Sequence, residues 1–206
     1  MADAPRRHPT RETISGLVLA GGRARRMGGV DKGLQAWRGK ALVDHAIALL
    51  SPQVSQVLIS ANRNAEAYAG RGCDVLADAA DDFPGPLAGI LAGLRATRTP
   101  WLAVMPCDAP LLPRDLVARL SEAIRRAGPS TAAAVVQRRI EGLGPRIEPV
   151  CCLVAADLAD DLARYLDDGQ RKVEPWLLRH AAPVLFDQPG DDAAFANFNT
   201  LAELRG

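Results

Sequence analysis

A short apolar run that breaks abruptly into glycine and positive charge constrains this chain more than any other stretch. Ile14 to Lys32 reads I-S-G-L-V-L-A-G-G-R-A-R-R-M-G-G-V-D-K. Ile14, Leu17, Val18 and Leu19 predict a short buried strand. After Ala20, one loop gathers Gly21, Gly22, Arg23, Arg25, Arg26, Gly28, Gly29 and Lys32. Glycine lets backbone N–H groups turn toward an anion and approach it closely. Arginine adds a planar fork for phosphate oxygens, and lysine adds a mobile point charge. The stretch is either a phosphate-binding loop at a strand end or a basic surface turn without a ligand. It lacks the G-x-G-x-x-G spacing, and no G-K-S or G-K-T follows, which argues against a dinucleotide fold or a P-loop.

The rest of the chain alternates. Ala41 to Leu50 carries apolar residues at helical spacing and stops before Pro52, and Val54 to Ser60 reads as a second strand. Asn64 to Ala69 predicts a short helix, Cys73 to Leu76 a third strand, and Gly85 to Thr97 a helix of small residues suited to close packing on a sheet. Trp101 to Met105 is a fourth strand. Pro113 to Ala127 predicts a helix with proline at its first position, Asp115 in the first turn and Arg125 and Arg126 in the last. Thr131 to Val136 and Val150 to Val154 read as strands joined by a long loop, Arg138 to Ile147. Asp157 to Leu166 and Gln170 to His180 look helical, Pro183 to Phe186 strand-like, and Ala196 to Arg205 closes the chain.

This alternation predicts an α/β fold, a three-layer α/β/α sandwich with a mainly parallel, Rossmann-like sheet. Residues 1–13, polar and proline-containing, read as a flexible tail, and 14–206 as a single domain. In such sheets ligands sit beyond the carboxyl ends of the strands. The glycine loop, Asn62, Asp78 and Asp108 should all emerge at that edge. Lys+Arg 25 against Asp+Glu 24 leaves a net charge of +1, so nothing global points to nucleic acid or an anionic membrane. No apolar run approaches the length of a membrane span. Cys73, Cys107, Cys151 and Cys152 form no C-x-x-C pair, and the adjacent two should face opposite sides of a strand. All four read as reduced thiols of a cytoplasmic protein. His8, His45 and His180 lack metal-ligand spacing and read as structural.

The run Leu19 to Leu34, L-A-G-G-R-A-R-R-M-G-G-V-D-K-G-L, resembles the signature of nucleotidyltransferases of the molybdenum cofactor guanylyltransferase (MobA) type. These belong to the nucleotide-sugar pyrophosphorylase superfamily. L-A-G-G rather than P-A-A-G resembles the guanylyl-transferring branch. The resemblance implies transfer of GMP from GTP to molybdenum-molybdopterin, with release of pyrophosphate. It implies that Leu19, Ala20, Gly21, Gly22 and Lys32 contact the nucleotide, that Arg26, Lys32 and Asp108 carry catalysis, and that Asp108 holds Mg²⁺.

From the residues alone, Asp108 in M-P-C-D-A-P is either a turn aspartate or a magnesium ligand, and the resemblance selects the ligand. Asp78, beside Asp81 and Asp82, is a solvated loop residue or, as the resemblance implies, a contact to the guanine nucleotide. Asn62 in S-A-N-R-N caps a turn or binds the nucleotide; the resemblance carries Asn62 and leaves Asn64 out. Arg171 and Lys172 in G-Q-R-K-V, with Asn197 and Asn199 in F-A-N-F-N-T, are candidates for the pterin side. Their alternative is a solvated charge pair and a cap for a helix beginning near Thr200. Relatives usually read N-x-N-T-P here, and this chain has Leu201 in place of the proline. Transient contact with cofactor-insertion proteins or molybdoenzymes is the implied partnership. Three other readings stay open: another nucleotide or acceptor (CTP with the same cofactor, or a sugar or alditol phosphate), a non-catalytic nucleotide-binding cofactor-delivery protein, and a metabolic α/β protein in which the glycine loop is purely structural.

Overall fold

The computed structural model describes residues 8–20, 30–77, 85–140, 142, 144–198 and 203–204. Nine strands and seven α-helices occur among them. In chain order they are β1 (Ile14–Leu19), β2 (Ala36–Trp37), β3 (Lys40–Ala41), α1 (Leu42–Leu50), β4 (Gln56–Ser60), α2 (Ala65–Ala69), β5 (Asp74–Leu76), α3 (Pro86–Ala96), β6 (Trp101–Pro106), α4 (Leu116–Ala127), β7 (Ala133–Ile140), β8 (Gly144–Ala155), α5 (Ala159–Asp167), α6 (Val173–Leu177), β9 (Ala181–Phe186) and α7 (Asp191–Ala194).

Seven strands make one sheet in the order β5-β4-β1-β6-β8-β7-β9. Only β8 runs against the others, pairing antiparallel with both β6 and β7. The chain builds outward from β1 to β4 and β5, then returns to lay β6 on the other side of β1. The direction of winding therefore reverses between β1 and β6, and in an open parallel sheet the crevice above that reversal is where ligands bind.

Two helical layers cover the sheet. A Cβ added at Gly16 of β1 would lie 2.5 Å from Leu50 of α1, whereas one added at Gly93 of α3 would lie 2.7 Å from Leu17, the next residue of the same strand. Successive strand residues face opposite sides, so α1 and α3 flank the sheet from opposite faces. Helix α4 joins the α1 side, where the Val117 N–H donates to Oε1 of Gln53 at 3.0 Å. Helix α5 packs beside α3. The strands of β1, β6 and the end of β8 are buried on both faces, which is why they read as unbroken apolar runs.

Three expectations are corrected. Helix α4 begins at Leu116 and not at Pro113, because Pro113 to Asp115 form turns and Asp115 is the N-cap, without a side-chain capping bond. Arg138 to Ile147 is not a long loop: Arg138 pairs with Arg146, Arg139 with Pro145 and Ile140 with Gly144, so β7 and β8 continue as a two-stranded ribbon. The helix expected over Gln170 to His180 is confined to Val173–Leu177, since Gly169 at φ 80° turns the chain and Arg171 and Lys172 remain outside any helix. Near the amino terminus the chain is tied down from Arg11, whose Nε donates to the Pro52 carbonyl at 3.1 Å. Cys151 and Cys152 are both buried, and all four thiols are free. Among the described residues no helix is long and apolar enough to cross a membrane.

Candidate active site

The carboxyl ends of β1 and β6 are neighbours, with Leu19 opposite Pro106. The ladder runs one step further, as Cys107 N–H donates to the Leu19 carbonyl at 3.1 Å, while Ala20 N–H donates to Ser60 of β4 at 2.9 Å. These bonds fix both the entrance to the glycine-rich loop and the turn that carries Asp108. On the far side of that loop, Lys32 opens a short 3₁₀ turn, Lys32–Leu34, and the Asp31 side chain caps it by accepting from Gly33 N–H at 3.2 Å. The result is an ion pair across the mouth of the crevice: Lys32 Nζ lies 2.7 Å from Asp108 Oδ2, with side chains 21% and 24% exposed.

The carboxyl-terminal segment joins the same turn. Phe198 N–H donates to the Asp108 carbonyl at 2.9 Å, which sets the exposed Asn197 beside it. The Phe198 ring rests 5.2 Å from Trp37, which also meets His45 edge-on at 4.9 Å. Trp37 belongs to the β2–β3 hairpin, turned by Arg38 (φ 48°) and Gly39 (φ 80°), the two positive-φ residues that a tight hairpin requires. Leu42 and Leu204 complete this small apolar cluster.

Among the residues singled out from the sequence, Leu19, Ala20, Lys32, Asp108 and Asn197 are thus brought together. Asn62 stands exposed two residues beyond β4, on the same sheet edge. Arg171, in the link between α5 and α6, donates from Nη1 to the carbonyls of Leu166 and Gln170, both at 2.7 Å. Lys172 is the N-cap of α6, and its carbonyl accepts from the Tyr165 hydroxyl at 3.0 Å. Gly21, Gly22, Arg26, Asp78 and Asn199 lie outside the described residues.

Sequence reasoning missed Asp31, Asn64 and Tyr68. Asp31 Oδ1 accepts from the Tyr68 hydroxyl at 2.6 Å, and Oδ2 accepts from the Asn64 amide at 2.8 Å. Asn64 has φ 53°, a left-handed conformation that asparagine tolerates, and this was the one local signal available.

Burial, reinforced by the Asp108 charge and opposed by Lys32, pushes the Cys107 thiol up to about 12. It is therefore neutral and no nucleophile. Among the described residues no three His, Cys, Asp or Glu side chains converge on a point. A single carboxylate at a strand end suits magnesium, which takes its other ligands from phosphate and water. It does not suit a closed zinc site.

A family model described as a MobA-like NTP transferase domain matches residues 16–184, a span that includes both the glycine-rich loop and Asp108. The molybdenum cofactor guanylyltransferase of Ralstonia nicotianae is 55% identical over 195 residues, covering 93% of this chain and 94% of that protein. The one from Bordetella pertussis is 49% identical over 193 residues, with 93% and 95% covered. The solved structure of molybdopterin-guanine dinucleotide biosynthesis protein A from Archaeoglobus fulgidus is 25% identical and superposes with a TM-score of 0.71, covering 93% of this chain and 95% of that one. The chain belongs to the MobA-like NTP transferase family.

Proposed function

We propose that this protein transfers GMP from GTP to the terminal phosphate of molybdopterin carrying molybdenum, giving the guanine dinucleotide form of the cofactor and pyrophosphate. The observation that carries the reading is the Lys32–Asp108 pair at the crevice between β1 and β6, in a chain 55% identical to a molybdenum cofactor guanylyltransferase.

An oxygen of the acceptor phosphate forms the new bond to the α-phosphorus of GTP as the bond to the bridging oxygen breaks, and the electron pair leaves with pyrophosphate. Such chemistry needs alignment and charge neutralisation and no covalent nucleophile. Backbone amides from Ala20 to Gly22, with Arg26 and Lys32, meet the phosphate oxygens; Leu19 shapes the entrance; Asn62 and Asp78 hold the nucleoside. Asp108 holds Mg²⁺, which when bound adds positive charge among the phosphates. Lys32 bridges the two needs, reaching Asp108 in the free protein and phosphate in the complex.

The later half of the chain receives the pterin. Asn197, beside the Asp108 turn, and Asn199 are its contacts, and Lys172 is a better contact than Arg171, whose guanidinium already donates to the carbonyls of Leu166 and Gln170. The four free thiols suit a reducing cytoplasm, where the product passes to cofactor-insertion proteins or molybdoenzymes. The test is to supply molybdenum-molybdopterin, Mg²⁺ and each common nucleoside triphosphate in turn, and to weigh the product. GTP should give the guanine dinucleotide with one pyrophosphate per turnover. A cytosine product in preference, or none with GTP, would refute the reading.

A further inference from the structure

A carboxylate next to a lysine that serves a triphosphate is a liability unless its oxygens are engaged elsewhere. Asp31 meets that condition: Oδ1 is taken by the Tyr68 hydroxyl and Gly33 N–H, and Oδ2 by Asn64. Tyr68 is fully buried, and its hydroxyl sits beneath the turn that carries Lys32. A Cβ on Gly33 would lie 2.4 Å from that hydroxyl and 3.4 Å from the sulfur of Cys107, the residue before Asp108. The tyrosine hydroxyl therefore packs against the Lys32 turn at Gly33, where that turn also meets Cys107. Burial, then the bond to Asp31, drives the hydroxyl's ionisation well above the usual phenol range, so it remains a donor.

We propose that Tyr68, acting through Asp31, is a positioning residue that fixes the Lys32 turn and so aims its ammonium into the nucleotide site. The effect on catalysis rests on the functional reading above; the effect on the lysine does not. Asn64 braces the other oxygen of Asp31, and Gly33 is required because any side chain there would displace the tyrosine.

The chain has three lysines, and exposed Lys40 and Lys172 calibrate a direct measurement on Lys32. Acetic anhydride is applied to the whole protein, and acetylation of each lysine is followed by peptide mass spectrometry. In Tyr68→Phe and in Asp31→Asn, Lys32 should be acetylated about three- to ten-fold faster relative to the other two, the factor that one lost hydrogen bond allows. GMP transfer by Tyr68→Phe should fall about ten- to a hundred-fold in kcat with the KM for GTP little changed, the pattern of a misplaced group. Added to Lys32→Ala, the same substitution should cost nothing further, because the residue through which it acts is gone. Unchanged Lys32 acetylation in the folded variants, or losses that multiply in the double variant, would overturn the proposal. If the wild-type protein transfers no GMP, the functional reading fails and the acetylation ratio alone decides the positioning role.

Discussion

Phe198 donates its backbone N–H to the carbonyl of Asp108 at 2.9 Å, joining the end of the chain to the turn that closes β6. The same residue places its ring against Trp37 at 5.2 Å. The segment containing Asn197 is therefore held by an aromatic contact as well as a backbone bond, and the two can be separated experimentally.

Phe198→Ala keeps the backbone bond and removes the ring. A fully buried phenylalanine loses about 3–5 kcal/mol on truncation, but Phe198 is half-buried, so about 1–2 kcal/mol is expected. For a chain of this size that lowers Tm by about 3–6 °C. The KM for the molybdopterin acceptor should rise several-fold while that for GTP stays constant. Steady-state kinetics with each substrate varied in turn checks this, and an equal rise in both would show that the segment does not serve the acceptor alone.

Gly93→Ala tests how closely α3 must approach the sheet. The added methyl would lie 2.7 Å from Leu17 and 2.9 Å from Leu102, both fully buried. Alanine favours a helix over glycine by about 1 kcal/mol, whereas overpacking a core costs about 1–3 kcal/mol. With two rigid core neighbours inside 3.0 Å, packing wins, and urea denaturation should find the variant less stable by about 1–2 kcal/mol. A stabilised variant would mean that the helix sits further from β1.

Alkaline stability follows from the buried thiols. Burial holds Cys107 and Cys152 protonated up to about 12, and Cys151 is raised in the same direction by burial and by its neighbour Cys152. Unfolding returns each to the ordinary thiol range near 8.5, so above that pH the native state binds more protons than the unfolded state. Stability is then fully present below about pH 8.5 and falls as pH rises toward 12, by about 1.4 kcal/mol per pH unit for each thiol. Urea midpoints measured from pH 8 to 11 should fall steadily. Cys152→Ala should flatten the slope, and an unchanged slope would mean that this thiol already ionises in the folded protein.

The elements readable from the sequence were those in which one physical signal dominates. β1, β4 and β6 lie inside the sheet and show as apolar runs, and the chemistry at their ends follows from the rule that ligands gather at the carboxyl edge. The β7–β8 ribbon was not readable. Its outer part, Gln137 to Ile140 and Gly144 to Ile147, is only partly buried or exposed on both strands, so no apolar alternation marks it, and the pairing shift that sets Val136 against Glu148 leaves no local trace. The same limit applies to the Tyr68–Asp31 bond, which spans 37 positions. A tyrosine in a short helix looks like core until its hydroxyl partner is known. Lys32 and Asp108 were separately recognisable, but that they face one another at 2.7 Å is a product of the winding order.

That pairing is tested most directly by GTP protection. Thermal unfolding of the wild-type protein is compared with Asp108→Asn, with and without GTP, in Mg²⁺ and then in excess EDTA. The account predicts that GTP with Mg²⁺ raises the wild-type Tm, that EDTA removes most of the gain, and that Asp108→Asn folds normally but gains little in either condition. An Asp108→Asn protein protected by GTP and Mg²⁺ as fully as the wild type would place the metal and the triphosphate away from this carboxylate and contradict the account.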